Sequence, residues 1–324
     1  MSDRYGRQTI LPEVGEEGQA RLAAATVLIV GAGGLGCAAL QYLTAAGIGR
    51  LTVVDHDRVE ESNLHRQPLY RMSDIGQPKV YAARSALAAL NPGTQVDAVC
   101  EPLSSINAAS LVEAAGVVID AADSFAATYL LSDTCQRQCK PLVSASVLGL
   151  AGYVGVFCGG APSYRAVFPE LPRSAGSCAE AGVLGTAVGV LGTLEAHLTL
   201  ALLLDWAPSV RGRMLSLDLR TLHVGGFSFA TAREPSGTPI PFIAPAEVSG
   251  NDVVIDLRSL DEAPVSPFES ALRIEVEALE RAPLDFPGEA RVVLCCRSGL
   301  RAWRAASSLR SRGHEKLALI ALGE

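Results

Sequence analysis

ATVLIVGAGGLGCAALQYLTAAGIGRLTVVDHDRVEESNLHRQPLYRMSDIGQPK, residues 25–79, is the stretch whose reading decides the fold. Val27–Val30 is a short apolar, β-branched run closed by glycine, which reads as a buried parallel strand. Gly31, Gly33 and Gly36 form a G-x-G-x-x-G turn with Gly34 inside it, and a helix is expected from Cys37 to Ala46. Such glycines let the backbone turn tightly and approach a phosphate, and the N-terminus of the following helix offers that phosphate free N–H groups. Leu51–Val54 reads as a second strand ending on Asp55, with Asp57 two residues on. A carboxylate at this distance is placed to accept a ribose hydroxyl. Taken alone, the glycine turn is equally the mark of an ordinary NAD(P)-binding unit.

The residues after the second strand change the balance. Ser62-Asn63-Leu64-His65-Arg66-Gln67 and Gly76-Gln77-Pro78-Lys79 bring two cations and several amides close to the same turn. A dinucleotide needs few cations there, since the helix terminus already holds the pyrophosphate. Arg66 and Lys79, with Asn63 and Gln67, instead suit a triphosphate whose charge moves during a reaction.

The combination GAGGLG, VDHD, SNLHRQ and GQPK resembles the ThiF/MoeB/HesA family of E1-like adenylyltransferases. These enzymes use ATP to activate the C-terminal glycine of a ubiquitin-like sulfur carrier protein. The likeness begins at Arg4-Tyr5-Gly6-Arg7-Gln8 and runs to about Leu204, roughly two thirds of the chain. It implies that Gly31, Gly33, Gly34, Gly36, Asp55, Asp57, Asn63, Arg66, Gln67, Lys79, Asp123 and Ser124 bind ATP, and that Asp123 holds Mg²⁺. It further implies a homodimer in which Arg7 reaches the partner chain's ATP. The carrier is expected to end in Gly-Gly.

The rest of the chain supports a doubly wound, mostly parallel α/β sheet. Helices are expected over Gly15–Ala24, Val80–Leu90, Ala108–Ala115 and Thr128–Gln138, and strands over Gln95–Val99, Val117–Asp120, Pro141–Ala145 and Gly152–Phe157. Asp123 follows the strand ending at Asp120. The family carries T-D-N here, whereas this chain reads Ala122-Asp123-Ser124, and a helix N-cap is the alternative role for the acid. The family's zinc-binding C-x-x-C pairs are absent: Ser163-Tyr164-Arg165-Ala166 stands where the first is expected, so no structural zinc is anticipated. The loop must be held by other packing or be more mobile. Cys178 lies near the family's catalytic cysteine, between a Pro/Ser/Gly-rich loop and the apolar run 183–204, and is either a sulfur-transfer thiol or a structural one.

Residues 211–230 suggest two strands of an antiparallel extension, and 231–245, with four prolines, a linker. Domain boundaries are thus expected at 1–230, 231–245 and 246–324. The last segment resembles a shortened rhodanese-like α/β domain. It carries a strand ending at Asp256-Leu257-Arg258, and a turn Cys296-Arg297-Ser298-Gly299-Leu300-Arg301 ahead of a helix. Such a turn aims backbone N–H groups at a thiolate or persulfide. The resemblance makes Cys296 the persulfide carrier, charged by a cysteine desulfurase or another persulfide donor. A phosphate-binding loop is the alternative.

Composition narrows the classes. Net charge is −7, which argues against a nucleic-acid partner. Hydrophobic content is 49% and aromatic content 5%, so the core is expected to be aliphatic. MSDRYGRQ has no apolar leader, and eight cysteines without a secretion signal read as reduced thiols in the cytoplasm. The run 183–204 contains Glu195 and His197 and is expected in a core or dimer interface, with no membrane span. The expected activity is sulfur-carrier adenylylation followed by sulfur transfer. An NAD-dependent oxidoreductase, an E1-like enzyme acting on a non-protein carboxylate, and a scaffold without sulfur transfer are the alternatives.

Overall fold

The computed structural model describes residues 3–171, 182–281 and 290–323. Two short helices, α1 (Gly6–Thr9) and α2 (Gly15–Ala24), lead into β1 (Thr26–Val30), α3 (Gly34–Ala46) and β2 (Arg50–Val54). Next come α4 (Lys79–Leu90), β3 (Gln95–Val99), α5 (Ala108–Glu113), β4 (Val117–Asp120), α6 (Phe125–Arg137), β5 (Pro141–Leu148) and β6 (Ala151–Cys158). The first unit ends with α7 (Tyr164–Val167), α8 (Gly185–Leu203), β7 (Arg213–Asp218) and β8 (His223–Ser228).

The eight strands lie in the order β3-β2-β1-β4-β5-β6-β7-β8. The first five are parallel, in registers such as Val27↔Leu51, Val27↔Val117 and Ser144↔Asp120, and the last three add antiparallel. The chain winds outward from β1 in one direction, then returns to place β4 on its other side. The crevice beyond the C-terminal ends of β1 and β4 is therefore the switch point where such sheets bind ligands. Alternate residues of the central strands feed two cores. Val27, Ile29, Val53 and Ile119 pack with α3 and α8, whereas Leu28, Val30, Val54 and Val118 share a cluster with α6 and the tail.

The helix α8 is long and apolar enough to cross a membrane by length and composition, but most of it is buried against α3 and the sheet. An apolar circumference with this burial is that of a core helix. Glu195 sits on it with no exposure, and neither carboxyl oxygen has a hydrogen-bond partner by geometry among the described residues. Burial, then the nearby Asp120 charge, pushes its pKa well up. Asp120, at the end of β4, is also buried; its Oδ2 accepts from Ser144 Oγ at 2.8 Å. Burial raises this carboxyl to about 6.

The tail folds as β9 (Val253–Asp256), β10 (Leu272–Arg273), α9 (Val276–Arg281), β11 (Val292–Cys296), α10 (Leu300–Ser311) and β12 (Leu317–Ala321). Its four strands are parallel, in the order β10-β9-β11-β12. The segment 231–245, rich in proline, is anchored at Glu234 and over 240–244. Phe242 bridges Leu319 on the edge of β12, and Ile240, Phe242 and Ala244 are buried.

The loop that lacks C-x-x-C is held by packing. Ser163 caps α7 and binds Glu234 twice, N–H to Oε1 at 2.7 Å and Oγ–H to Oε2 at 2.5 Å. Arg165 is 4% exposed, makes a two-point ion pair with Asp133 at 2.6 and 2.9 Å, and donates to the Ile240 carbonyl. Its guanidinium lies 4.7 Å from the Tyr129 ring centroid and 5.4 Å from that of Trp303 on α10. Four segments far apart in the chain meet on this one cation.

Removing one member of a buried ion pair strands the other. Arg165→Ala is expected to cost about 3–5 kcal/mol of unfolding free energy, read by chemical denaturation. Asp120 gives a pH signature. Its folded pKa of about 6 lies above the unfolded value, so its contribution is fully present in acid and is lost as pH rises through about 6. Asp120→Asn should therefore gain about 2 kcal/mol relative to wild type between about pH 4 and pH 7.

Candidate functional site

The turn after β1 is shaped by contacts that leave no room for side chains. Gly31 has φ +99°, in the region that favours glycine, and a Cβ there would meet the Ala121 carbonyl. A Cβ on Gly36 would run into the Gly31 carbonyl oxygen, and one on Gly34 into Val188 of α8. Gly33 differs. The one atom within reach of an added Cβ is Gln67 Nε2, at 3.8 Å. Three glycines serve packing, and the fourth opens onto the crevice. The helix starts at Gly34, earlier than the sequence suggests, which brings its unpaired N–H groups to the turn itself.

Asp55 holds this turn. Its Oδ2 accepts from Ala32 N–H and its Oδ1 from Asp57 N–H, both at 2.7 Å. Tyr70 donates its hydroxyl to the Ala32 carbonyl at 2.7 Å. Burial drives the Tyr70 hydroxyl pKa upward and carries the Cys37 thiol to about 12, so both stay protonated and structural. The loop 61–70 is thereby folded over the N-terminus of α3, carrying Asn63, Arg66 and Gln67 with it.

Asn63 and Gln67 are buried, and Gln67 Oε1 has no hydrogen-bond partner among the described residues. A buried, unsatisfied amide oxygen beside an open glycine is the kind of atom a ligand satisfies. Arg66 is half-buried and donates to the Ser62 carbonyl at 3.1 Å. Lys79 is the first residue of α4, 6% exposed, with Nζ 2.7 Å from Asp57 Oδ2. Asp57 thus neutralises Lys79 in the chain by itself. Asp55, His56 and Asp57 offer three potential metal-ligand atoms within 4.8 Å of one another, but both Asp55 oxygens and Asp57 Oδ2 are already engaged as described.

Ser124 is the N-cap of α6, its side chain accepting from Ala127 N–H at 3.5 Å. Asp123 is therefore not the cap, and it stands exposed at the mouth of the crevice. Arg7 is elsewhere. It lies on α1, beside Tyr5, whose ring packs on Gly47 and whose hydroxyl accepts from Asn91 Nδ2 at 2.8 Å. Gly47 ends α3, and that 13-residue helix spans about 20 Å, with the glycine turn at its other end.

The remaining candidates belong to the tail and the loop before α8. Cys296 ends β11 with no exposure, and its sulfur receives Gly299 N–H at 3.1 Å and Ala302 N–H at 3.4 Å. Arg301 pairs with Glu262 beside this turn. Cys178 lies outside the described residues. Sequence reasoning missed Glu234, Asp133, Arg165 and Trp303, whose partners are distant in the chain. It also missed a groove of about 630 Å³ on the antiparallel extension, lined by Ser146, Leu148, Tyr153, Phe168, Met214 and Phe227. Ser146 and Leu148 extend β5 beyond its last pairing with β4, on the side of the sheet where Asp123 stands.

Comparison with known proteins agrees with this geometry. The ThiF family profile matches residues 5–238. Adenylyltransferase and sulfurtransferase MOCS3 of Bos taurus is 48% identical over 218 residues, covering 66% of this chain and 48% of that protein, so the match spans about half the bovine relative. Sulfur carrier protein adenylyltransferase of Thermus thermophilus is 46% identical over 224 residues, 67% of this chain and 83% of that one. SAMP-activating enzyme E1 of Haloferax volcanii is 42% identical over 218 residues, 67% and 81%. Among solved structures, E. coli MccB with MccA-N7isoASN superposes with a TM-score of 0.64 at 20% identity, over 73% of this chain and 74% of that one, a likeness of fold. With the family profile covering most of the chain and the glycine turn, Asp55, Arg66 and Lys79 assembled at one crevice, this protein belongs to the ThiF family.

Proposed function

We propose that the protein is an ATP-dependent adenylyltransferase that activates the C-terminal glycine carboxylate of a ubiquitin-like sulfur carrier protein ending in Gly-Gly. The observation that carries this reading is the crevice over α3. An open Gly33, a helix N-terminus, the orphaned Gln67 oxygen, Arg66 and a buried Lys79 converge there. The names of the bovine, Thermus and Haloferax relatives point to the same chemistry.

In this reading the triphosphate lies over Gly31–Gly36 with the ribose toward Asp55. Asp123 would hold the accompanying Mg²⁺, and the ion would supply positive charge against the phosphate oxygens. The carrier lies along the groove of the antiparallel extension, two of whose lining residues, Ser146 and Leu148, extend β5 at the end of the sheet where Asp123 follows β4. Its terminal carboxylate attacks the α-phosphorus, pyrophosphate leaves, and an acyl-adenylate remains. A carboxylate is ionised at neutral pH, so no general base is needed, and positioning and charge balance supply the rate. Arg66 and Lys79 carry that balance, Lys79 exchanging Asp57 for phosphate. Arg7 cannot reach its own chain's turn across the length of α3, so it acts in the site of a partner subunit, and the working form is a homodimer. The seven described cysteines are all free, which suits a reduced, cytoplasmic setting.

We assign sulfur delivery to Cys296, whose sulfur is cradled by two backbone N–H groups in a rhodanese-like turn. The terminal sulfur of a Cys296 persulfide, charged by a desulfurase or similar donor, attacks the acyl carbon and AMP leaves. A further thiol then cleaves the acyl disulfide and releases the thiocarboxylate. The complete burial of Cys296 favours a second reading, in which the tail binds the carrier but passes no sulfur. Thiocarboxylate on the carrier, read by intact mass with Cys296→Ser as control, separates the two.

Carrier-dependent ATP–pyrophosphate exchange is expected with intact Gly-Gly carriers and not with carriers trimmed of that dipeptide. Arg66→Ala should lower the exchange rate about 100-fold or more, and exchange at the wild-type rate would sink the mechanism. Arg7→Ala and Lys79→Ala should each be inactive, yet equal amounts re-associated together should recover about a quarter of the sites, because half the dimers are mixed and each holds one intact site. No recovery would place Arg7 outside the partner's chemistry.

A further inference from the structure

The cation Arg165 and the ring of Trp303 lie at one end of a continuous set of contacts whose other end is the wall of the groove. Trp303 packs on Tyr129 with ring centroids 5.9 Å apart. Tyr129 meets Tyr164 edge-on at 5.3 Å and donates its hydroxyl to the Phe168 carbonyl at 2.7 Å. Tyr164 packs on Phe168 at 4.6 Å, its hydroxyl shares a 2.5 Å hydrogen bond with that of Tyr153, and Tyr153 stacks on Phe168 at 5.4 Å. Tyr153, Val167 and Phe168 line the groove. The segment 164–168 is only a single turn of helix and its flanks, so its own hydrogen bonds hold it weakly. Its position is set by Arg165, which packs against both Tyr129 and Trp303 and is tied to Asp133.

We propose that Trp303 is a positioning residue for carrier recognition: the tail closes on Arg165 and fixes the groove wall at Tyr164–Phe168. This rests on the carrier-adenylating function proposed above and adds a role for the tail that is independent of sulfur. Trp303 touches neither nucleotide nor carrier. It acts through Arg165 and Tyr129, so its loss registers in the fit of the carrier and leaves the ATP crevice, built on Asp55, Gln67 and Lys79, as it was. The π-face is the feature in use, since a guanidinium over an aromatic ring gains what an aliphatic neighbour cannot supply.

The test is steady-state pyrophosphate exchange with Trp303→Leu, which keeps apolar volume, and Trp303→Phe, which keeps a ring. Thermal melts accompany each. Expected for Trp303→Leu is a carrier KM raised about fivefold or more with the ATP KM within about twofold of wild type. Trp303→Phe should recover most of the carrier affinity. An unchanged carrier KM in Trp303→Leu overturns the proposal. So does a parallel rise in both KM values, which would mark a general loosening of the fold. Wild-type protein that exchanges with no carrier would overturn the adenylation reading and this one with it, whereas normal wild-type exchange with a normal Trp303→Leu carrier KM defeats this one alone.

Discussion

Everything in the first unit is arranged around a strand-to-helix turn with no space for a Cβ on either side. Gly36 lies on the carbonyl of Gly31, and Gly31 lies on the carbonyl of Ala121 at the end of β4. These contacts draw β1, β4 and the first turn of α3 together, so that the helix N-terminus, the strand ends and Asp123 share one crevice. A single methyl group would force them apart. Asp55 and Tyr70 then clamp Ala32 from above, one through its N–H and the other through its carbonyl, and carry the Asn63–Gln67 loop into place. Binding chemistry arises from steric closeness here, and the charges arrive on a frame already set.

The charges are managed differently in the two halves of the sheet. In the crevice, Lys79 is buried but paired with a half-exposed acid. Asp120 and Glu195 are buried with no cation against them among the described residues, and desolvation shifts them toward their neutral forms. Across the sheet, Arg165 is buried and held for good by Asp133 and two rings. The pair in the crevice has a solvent-accessible partner, and the pair that joins segments has a buried one.

Much of this was legible in the chain. The glycine spacing, the β-branched runs and the regular alternation of elements led to a doubly wound sheet, because each of these signals is local. The site was legible as far as the loops after β2 carry it, since SNLHRQ and GQPK lie within one supersecondary unit. The clip around Arg165 was not, because Asp133, Glu234, Ile240 and Trp303 approach it from segments as much as 138 residues away, and no periodicity announces them. Composition also misled in part. The prolines of 231–245 suggested a spacer, while Ile240 and Phe242 in the same stretch are core residues. Ser124 took the capping role that short-range preference allowed equally to Asp123, and only the folded geometry distinguishes the two.

The length of α3 keeps its two ends apart. Tyr5 and Asn91 fasten the N-terminal arm to one end of that helix, and the glycine turn occupies the other. A 13-residue helix is about 20 Å long and stiff along its axis, so within one chain the arm and the turn stay separated by that length. Under the composite-site proposal above, adenylation would fall off on dilution faster than nucleotide binding.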